Sequence, residues 1–304
     1  MSKQVVVPWD SVCQLPIGGT VAWTLPSLSA TLSTVLPFPV LTTPETPSPG
    51  IPRLVVVGGG SLIDHAKLWK RQQSPATWLC AVPSLWGSGA EASPVAVETK
   101  GGKKVPFMDA TLLPDARSCF PTLADTVPLD YAFWGFGDIW AHALEGFLSP
   151  LSSDELRQEF ATLLSDLLAM PLVPSAAWFE LSARACDLQS RSGVGLIHGI
   201  AHELEPRLHG YGHARLCTAL LWPVFRFNAS RSPKVEALCT SFGVSMDAIG
   251  ERLQSLFRET DFYAILPSLV EHWGLVIRNP LSRINCAVAR PDAISYFQRR
   301  EFAS

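Results

Sequence analysis

The chain has 304 residues, 47% of them apolar and 17% charged, and a net charge of −3. That length accommodates two ordinary domains or one large one with a sizeable core, and the composition excludes an intrinsically disordered chain. The charge, with no basic block before the C-terminus, argues against a nucleic-acid partner. No uninterrupted apolar run predicts a membrane span or a signal peptide, and seven scattered cysteines without a CxxC pair fit reduced thiols in a cytoplasm.

Taken in order, residues 16–50 read as an α/β opening: a strand from Gly19, a short helix over Leu28–Leu36, a strand from Pro39, then a proline-rich connection from Thr43 to Gly50. The β-branched run after Pro52 leads into Gly58, Gly59, Gly60 and Ser61, and a helical pattern carrying Asp64 and Lys67 follows. Glycines there let a backbone approach a pyrophosphate, and the helix N-terminus offers free N–H groups; an ordinary βα turn has the same look. The dinucleotide fingerprint GxGxxG is absent, because position 63 is Ile63. A second apolar strand from Trp78 ends in a loop containing Ser84, Gly87, Ser88 and Gly89. Two such loops at strand C-termini match the edge at which α/β sheets bind ligands. Val95–Met108 reads as a hairpin turning at Gly101–Lys104, Asp115–Cys119 as a last strand, and Pro121–Pro128 as a linker.

From Leu129 the pattern is helical: 129–148, 153–170, 174–190, 193–204, 213–229, 232–242, 246–258 and 262–274, with breaks expected at Gly243–Ser245 and at Gly274. The tail holds Arg278, Arg283, Arg290, Arg299 and Arg300, which read as a solvated face.

Two stretches carry the chemistry. Asp138 and His142 are spaced i,i+4 in an apolar run, and so are His198 and His202, which puts each pair on one helix face. His209 and His213 follow closely, so four of the seven histidines fall between positions 198 and 213. A lone buried histidine is usually a core residue. Burying Asp138 among Phe133, Trp134, Phe136, Ile139 and Trp140 is costly without a cation, and one carboxylate with imidazoles suits Zn²⁺ or Fe²⁺ better than Mg²⁺ or Ca²⁺. Spacing alone leaves open which of His142, His198, His202, His209 and His213 ligate.

Four ordered segments, Gly58–Lys67, Pro83–Glu91, Gly137–Glu145 and Gly195–His202, resemble the iron-containing (group III) alcohol dehydrogenases, relatives of glycerol dehydrogenase and dehydroquinate synthase. The resemblance covers roughly residues 18–230 and extends to Leu112–Asp115 and Leu220–Asn228. It implies a Rossmann-like NAD(P)-binding α/β domain over 1–128, an all-α metal- and substrate-binding domain over 129–304, and an active site in the cleft between them. It further implies Asp138, His142, His198 and His213 as ligands of Fe²⁺ or Zn²⁺, with His202 near the nicotinamide as a proton relay. Gly59, Gly60 and Ser61 would hold the pyrophosphate, Asp64, Ser84 and Ser88 would line the cofactor site, and Lys103 or Lys104 would reach a ribose. The implied reaction is hydride transfer between NAD(P)H and a small aldehyde or alcohol on the metal, in a cytoplasmic enzyme of a type that often forms homodimers. The arginine tail motivates an anionic, phosphonate or carboxylate, aldehyde from a specialised biosynthetic pathway. The alternatives are a non-redox lyase or cyclase on the same scaffold and a binding protein with a decayed site.

This chain departs from that family at several points. It is several dozen residues shorter, and no helix separates the proline-rich turn from the Gly58–Gly60 strand. Glu45 is therefore only a candidate reader of the ribose 2′-hydroxyl, and NAD against NADP stays open. Ala90 stands where serine is usual. His213 lies one residue further from His198 than expected, flanked by Gly212 and Ala214 instead of proline and glycine, which keeps His209 in competition as the fourth ligand.

Overall fold

Runs of β-branched residues that read as fully buried strands form a parallel sheet. The computed structural model describes residues 4–299; Arg300, expected in the basic tail, lies outside them. The strands are β1 (Val5–Val6), β2 (Thr20–Thr24), β3 (Val40–Thr42), β4 (Arg53–Gly58), β5 (Trp78–Pro83), β6 (Val95–Lys100), β7 (Lys103–Met108) and β8 (Ala116–Arg117). Six of them make one sheet in the order β1-β8-β5-β4-β2-β3, every pair parallel, while β6 and β7 form the expected hairpin. Leu54, Val55, Val56 and Val57 of β4 are fully buried, as a central parallel strand covered on both faces must be.

The helices are α1 (Trp9–Cys13), α2 (Pro26–Val35), α3 (Gly60–Gln73), α4 (Leu129–Leu148), α5 (Asp154–Ala169), α6 (Ala177–Ser190), α7 (Leu196–Leu204), α8 (His213–Arg231), α9 (Lys234–Ser241), α10 (Met246–Ser255), α11 (Glu259–Val276) and α12 (Ile294–Phe297). Their ends follow local chemistry. The Ser153 hydroxyl accepts from Leu156 N–H to cap α5, and the Ser245 hydroxyl accepts from Ala248 N–H to cap α10. Gly243–Ser245 does separate α9 from α10, but the break expected at Gly274 is wrong, for α11 runs through it to Val276. A glycine costs a helix only ~1 kcal/mol, and the buried stripe of Phe262, Ile265, Leu269, Trp273 and Val276 holds the last turn in place.

The described chain divides into two units. One holds the residues up to Thr99 with Val105–Pro128 and Pro174–Ala183; the other holds Lys100–Lys104, Leu129–Val173 and the residues from Arg184 onward.

In the first unit, strand order reverses between β2 and β4: β2 leads outward to β3, and the chain then returns to β2's other side. The Gly58–Ser61 turn stands at the C-terminal end of this switch, and the loop after β5 is tied to it by Ser84 N–H donating to Gly58 O at 2.9 Å. The start of α3 needs Gly60, since a Cβ there would run into the Ser88 side chain. Buried Lys67 secures α3 to the hairpin by donating to Asp64 Oδ1 at 3.2 Å and Val95 O at 2.7 Å, while Asp64 Oδ2 accepts from Val97 N–H at 2.9 Å.

In the second unit, α4 is buried along most of its length and packs closely on α8. The contact depends on Gly137, where a Cβ would occupy the space of the Thr218 side chain. Thr218 Oγ1 donates to Trp134 O at 2.8 Å, so hydroxyl and backbone meet at the crossing. Gly137→Ala must separate α4 from α8. We expect it to lower stability by about 1–3 kcal/mol in chemical denaturation, with part of the loss recovered when Thr218→Ala is added.

Glu91, just beyond the β5 loop, is 2% exposed, and its Oε1 has no hydrogen-bond partner. Burial pushes its pKa up to about 7, against the smaller pull of its backbone hydrogen bond and of Arg117 and Lys67. The folded chain thus holds this proton more tightly than the unfolded chain. The resulting stability is full below the ordinary carboxylate range and is lost as pH rises through about 7. Denaturation of Glu91→Gln from about pH 5 to about pH 8 should show a shallower fall than the parent protein, the difference reaching roughly 3 kcal/mol.

Candidate metal centre

Three helices of the second unit bring their polar residues to one point. Asp138 and His142 come from α4, His198 from the first turn of α7, and His213 from the first position of α8. The Nε2 atoms of His142, His198 and His213 lie 3.9, 3.8 and 3.9 Å from the same atom, Asp138 Oδ1. These separations are too long for hydrogen bonds. They are a few tenths wider than the ~3.4 Å between ligand atoms that ~2.0–2.1 Å bonds to one tetrahedral ion would set.

The polar atoms at this point lack other partners. Asp138 Oδ1, His198 Nε2 and both ring nitrogens of His142 are buried with no hydrogen-bond partner among the described residues. Asp138 is 1% exposed. A buried carboxylate with one oxygen lacking any donor costs several kcal/mol unless a cation compensates it. The set therefore fits a divalent ion: an anionic oxygen and converging imidazoles, with Cys217 Sγ, Asp138, His198 and His213 offering ligand atoms within 4.8 Å of one another.

The imidazoles are in the state that ligation requires. Burial lowers the pKa of His142 to about 3, reinforced by His198, and lowers His198 well below its usual value, reinforced by His213. Both are neutral at ordinary pH and can offer a lone pair.

One glutamate orients a ring from behind, and a second carboxylate stands near another. The His198 Nδ1–H donates to Glu145 Oε2 at 2.7 Å, which leaves Nε2 free to face Asp138. The same carboxylate accepts from Gly195 N–H at 2.8 Å and Ile197 N–H at 2.5 Å. It thereby satisfies amide groups at the start of α7, where Gly195 provides no side-chain cap. Burial raises Glu145's pKa to about 7, but its donors favour the carboxylate. Glu205 Oε2 lies 3.6 Å from His213 Nδ1, and Glu205 Oε1 lies 3.0 Å from Lys104 Nζ. Burial pushes Glu205 upward, but His213 and Lys104 outweigh it and hold its pKa at about 2.

His202, one turn beyond His198, stands beside the cluster with its ring centroid 5.4 Å from that of His213. Burial, then His213 and His198, lowers its pKa to about 3. His209 is exposed in the turn between α7 and α8, away from this convergence. Lys103 is exposed at the hairpin turn, whereas Lys104 is engaged with Glu205. In the first unit, Gly59 caps α3, Gly60 and Ser61 begin it, and Ser84 and Ser88 follow β5. Arg278, Arg283, Arg290 and Arg299 are all exposed.

Sequence reasoning assigned no role to Glu145, Glu205 or Cys217. The signal for Cys217 was available: His213 and Cys217 form a third i,i+4 pair. Nothing local in the sequence marks the two glutamates, whose partners come from other segments.

Removing the buried charge separates metal binding from folding. Asp138→Asn should leave the metal-free protein as stable as the parent or more so, because the uncompensated carboxylate is gone. Parent protein at a free ion concentration of ~100 Kd should gain ~2.7 kcal/mol, while the variant gains far less. Thermal denaturation with and without Zn²⁺ or Fe²⁺ reads both effects.

Comparison with known proteins bears on the first unit and on the fold. Residues 46–119 match the family model for iron-containing alcohol dehydrogenase. Over 194 residues the chain is 32% identical to the 1-propanol dehydrogenase of Salmonella typhimurium, covering 59% of this chain and 52% of that protein. The chain thus spans about half the length of the curated relatives it matches first. Among solved structures, an iron-containing alcohol dehydrogenase from Thermococcus thioreducens aligns over 98% of both chains with a TM-score of 0.76 at 19% identity. A sulfoacetaldehyde reductase from Bifidobacterium kashiwanohense, solved with NAD⁺, aligns over 100% of this chain and 98% of that one, with a TM-score of 0.73 at 17% identity. Residues 46–119 thus match the iron-containing alcohol dehydrogenase model, and the fold, a parallel Rossmann-like sheet and a helical region, is the one seen in solved iron-containing alcohol dehydrogenases.

Proposed function

We propose that this protein is a metal-dependent, NAD(P)H-linked alcohol dehydrogenase that works as a reductase of small aldehydes. The observation that carries the reading is the convergence of three imidazole nitrogens on one buried carboxylate oxygen that has no hydrogen-bond partner. The glycine turn at the sheet's switch point supports it, as does the relation to a 1-propanol dehydrogenase.

In this reading the α/β domain is 1–128 and the helical domain 129–304. Asp138, His142, His198 and His213 hold the ion, Fe²⁺ or Zn²⁺. Gly59, Gly60 and Ser61 approach the cofactor pyrophosphate through the N-terminus of α3, whose first N–H groups favour an anion. Ser84 and Ser88 line the same edge. Asp64 contributes as a brace, because both its oxygens are engaged by Lys67 and Val97. Lys103, exposed, is free to reach a ribose, while Lys104 steadies Glu205.

When bound, the ion supplies Lewis-acid stabilisation of negative charge developing on a carbonyl oxygen, and the nicotinamide supplies the hydride. Glu145 holds the ring of His198 from its Nδ1 side, and the Glu205 carboxylate lies close to the Nδ1 of His213. His202 passes a proton: its depressed pKa of about 3 keeps the imidazole neutral, accepting at one nitrogen while donating from the other. The described arginines of the tail, all exposed, add no support for an anionic substrate at the cluster.

The test is turnover by anaerobically loaded protein with NADH or NADPH and a series of short aldehydes. Loss of nicotinamide absorbance in step with alcohol formation is the expected result. Product without net nicotinamide change would mean a lyase or cyclase, and absence of saturable nicotinamide binding would mean a scaffold that has lost its cofactor. His202→Asn should lower kcat about 10²-fold or more while metal content stays at the parent level.

A further inference from the structure

The cluster contains one more potential ligand than the proposed function uses. Cys217 follows His213 by one turn on α8, so the two side chains share a face. Cys217 is fully buried, and its Sγ lies 3.6 Å from His213 Nε2. Its sulfur, an Asp138 carboxylate oxygen and one nitrogen each of His198 and His213 all lie within 4.8 Å of one another. A buried cysteine alone is commonly just a small apolar side chain. Here Asp138 Oδ1 and His198 Nε2, both buried and both without hydrogen-bond partners, mark the same point as a place for a cation.

We propose that Cys217 is itself a ligand of the bound ion, through its thiolate, and that it biases the site toward zinc. The inference rests on the metal-centre reading above and adds the identity of the preferred ion. Asp and His donors alone suit Fe²⁺ and Zn²⁺ alike, whereas a soft thiolate favours Zn²⁺. Ligation breaks the S–H bond, the sulfur donates its electron pair to the ion, and the proton leaves to solvent. No atom changes oxidation state. His142, whose Nε2 is 3.9 Å from Asp138 Oδ1, then adds a further nitrogen donor to a set already containing carboxylate, two imidazoles and sulfur.

X-ray absorption on the zinc-loaded full chain tests this directly. A sulfur shell at ~2.3 Å is expected in the parent and should be lost in Cys217→Ser, with a fall in zinc affinity of ~10-fold or more. Loading with Co²⁺ gives a second readout: a thiolate-to-cobalt charge-transfer band in the near ultraviolet, present in the parent and lost in Cys217→Ser and Cys217→Ala. Under anaerobic competition between Fe²⁺ and Zn²⁺, the variants should shift the bound ratio toward iron. Stoichiometric metal with only nitrogen and oxygen neighbours would overturn the role of Cys217 and leave the metal centre standing. Absence of bound metal would overturn both. The parent spectrum decides the matter even where a variant fails to fold.

Discussion

The second unit is organised around a charge that the protein alone does not compensate. Asp138 lies inside a helix whose neighbours are almost all apolar, and its Oδ1 meets no donor. Three imidazole nitrogens approach that oxygen, yet each stops short of a hydrogen bond. Folding therefore leaves several kcal/mol of desolvation unrelieved at this point, which a divalent ion would offset. The Gly137 crossing makes the arrangement possible by letting α4 and α8 approach until residues on both reach the same spot.

Around that charge, the surrounding groups divide the work. Burial holds His142 and His198 neutral, as ligands must be; it acts on His213 too, but Glu205 and Asp138 outweigh it and raise that residue's pKa. Glu145, hydrogen-bonded to the His198 Nδ1, selects which nitrogen of that ring faces inward, and the Glu205 carboxylate lies 3.6 Å from the His213 Nδ1. Such outer carboxylates raise ligand basicity and restrict ring rotation. In the first unit the corresponding economy lies in the sheet, where two glycine–serine turns meet at the C-terminal ends of neighbouring parallel strands.

Much of this was legible before any coordinates. The β-branched run ending in Gly58–Gly60 announced a strand, turn and helix, because few other arrangements use that order. The pairs Asp138–His142 and His198–His202 announced shared helix faces, because i,i+4 spacing has a direct geometric meaning. Other features depended on distant contacts. The two-residue strand β1 carries no periodicity, and its pairing with β8 joins residues far apart in the chain. Local propensity alone makes Gly274 a break, and the packed stripe of α11 overrides it. Whether His209 or His213 faces Asp138 depended on the turn between α7 and α8, whose course is not encoded in spacing. The glutamates were invisible as positioning groups for the same reason, since a carboxylate's meaning lies in what folds against it.

The double use of Glu145 has a kinetic consequence. One carboxylate anchors both the His198 ring and the first amide groups of a nine-residue helix. His198 cannot swing away from the site unless that carboxylate gives up a partner, and the opening turn of α7 cannot fray without disturbing the same carboxylate. The residence time of an ion bound there would then depend on how often this joint opens. A site built from individually ordinary ligand bonds would owe slow exchange to the mechanical stiffness of its support.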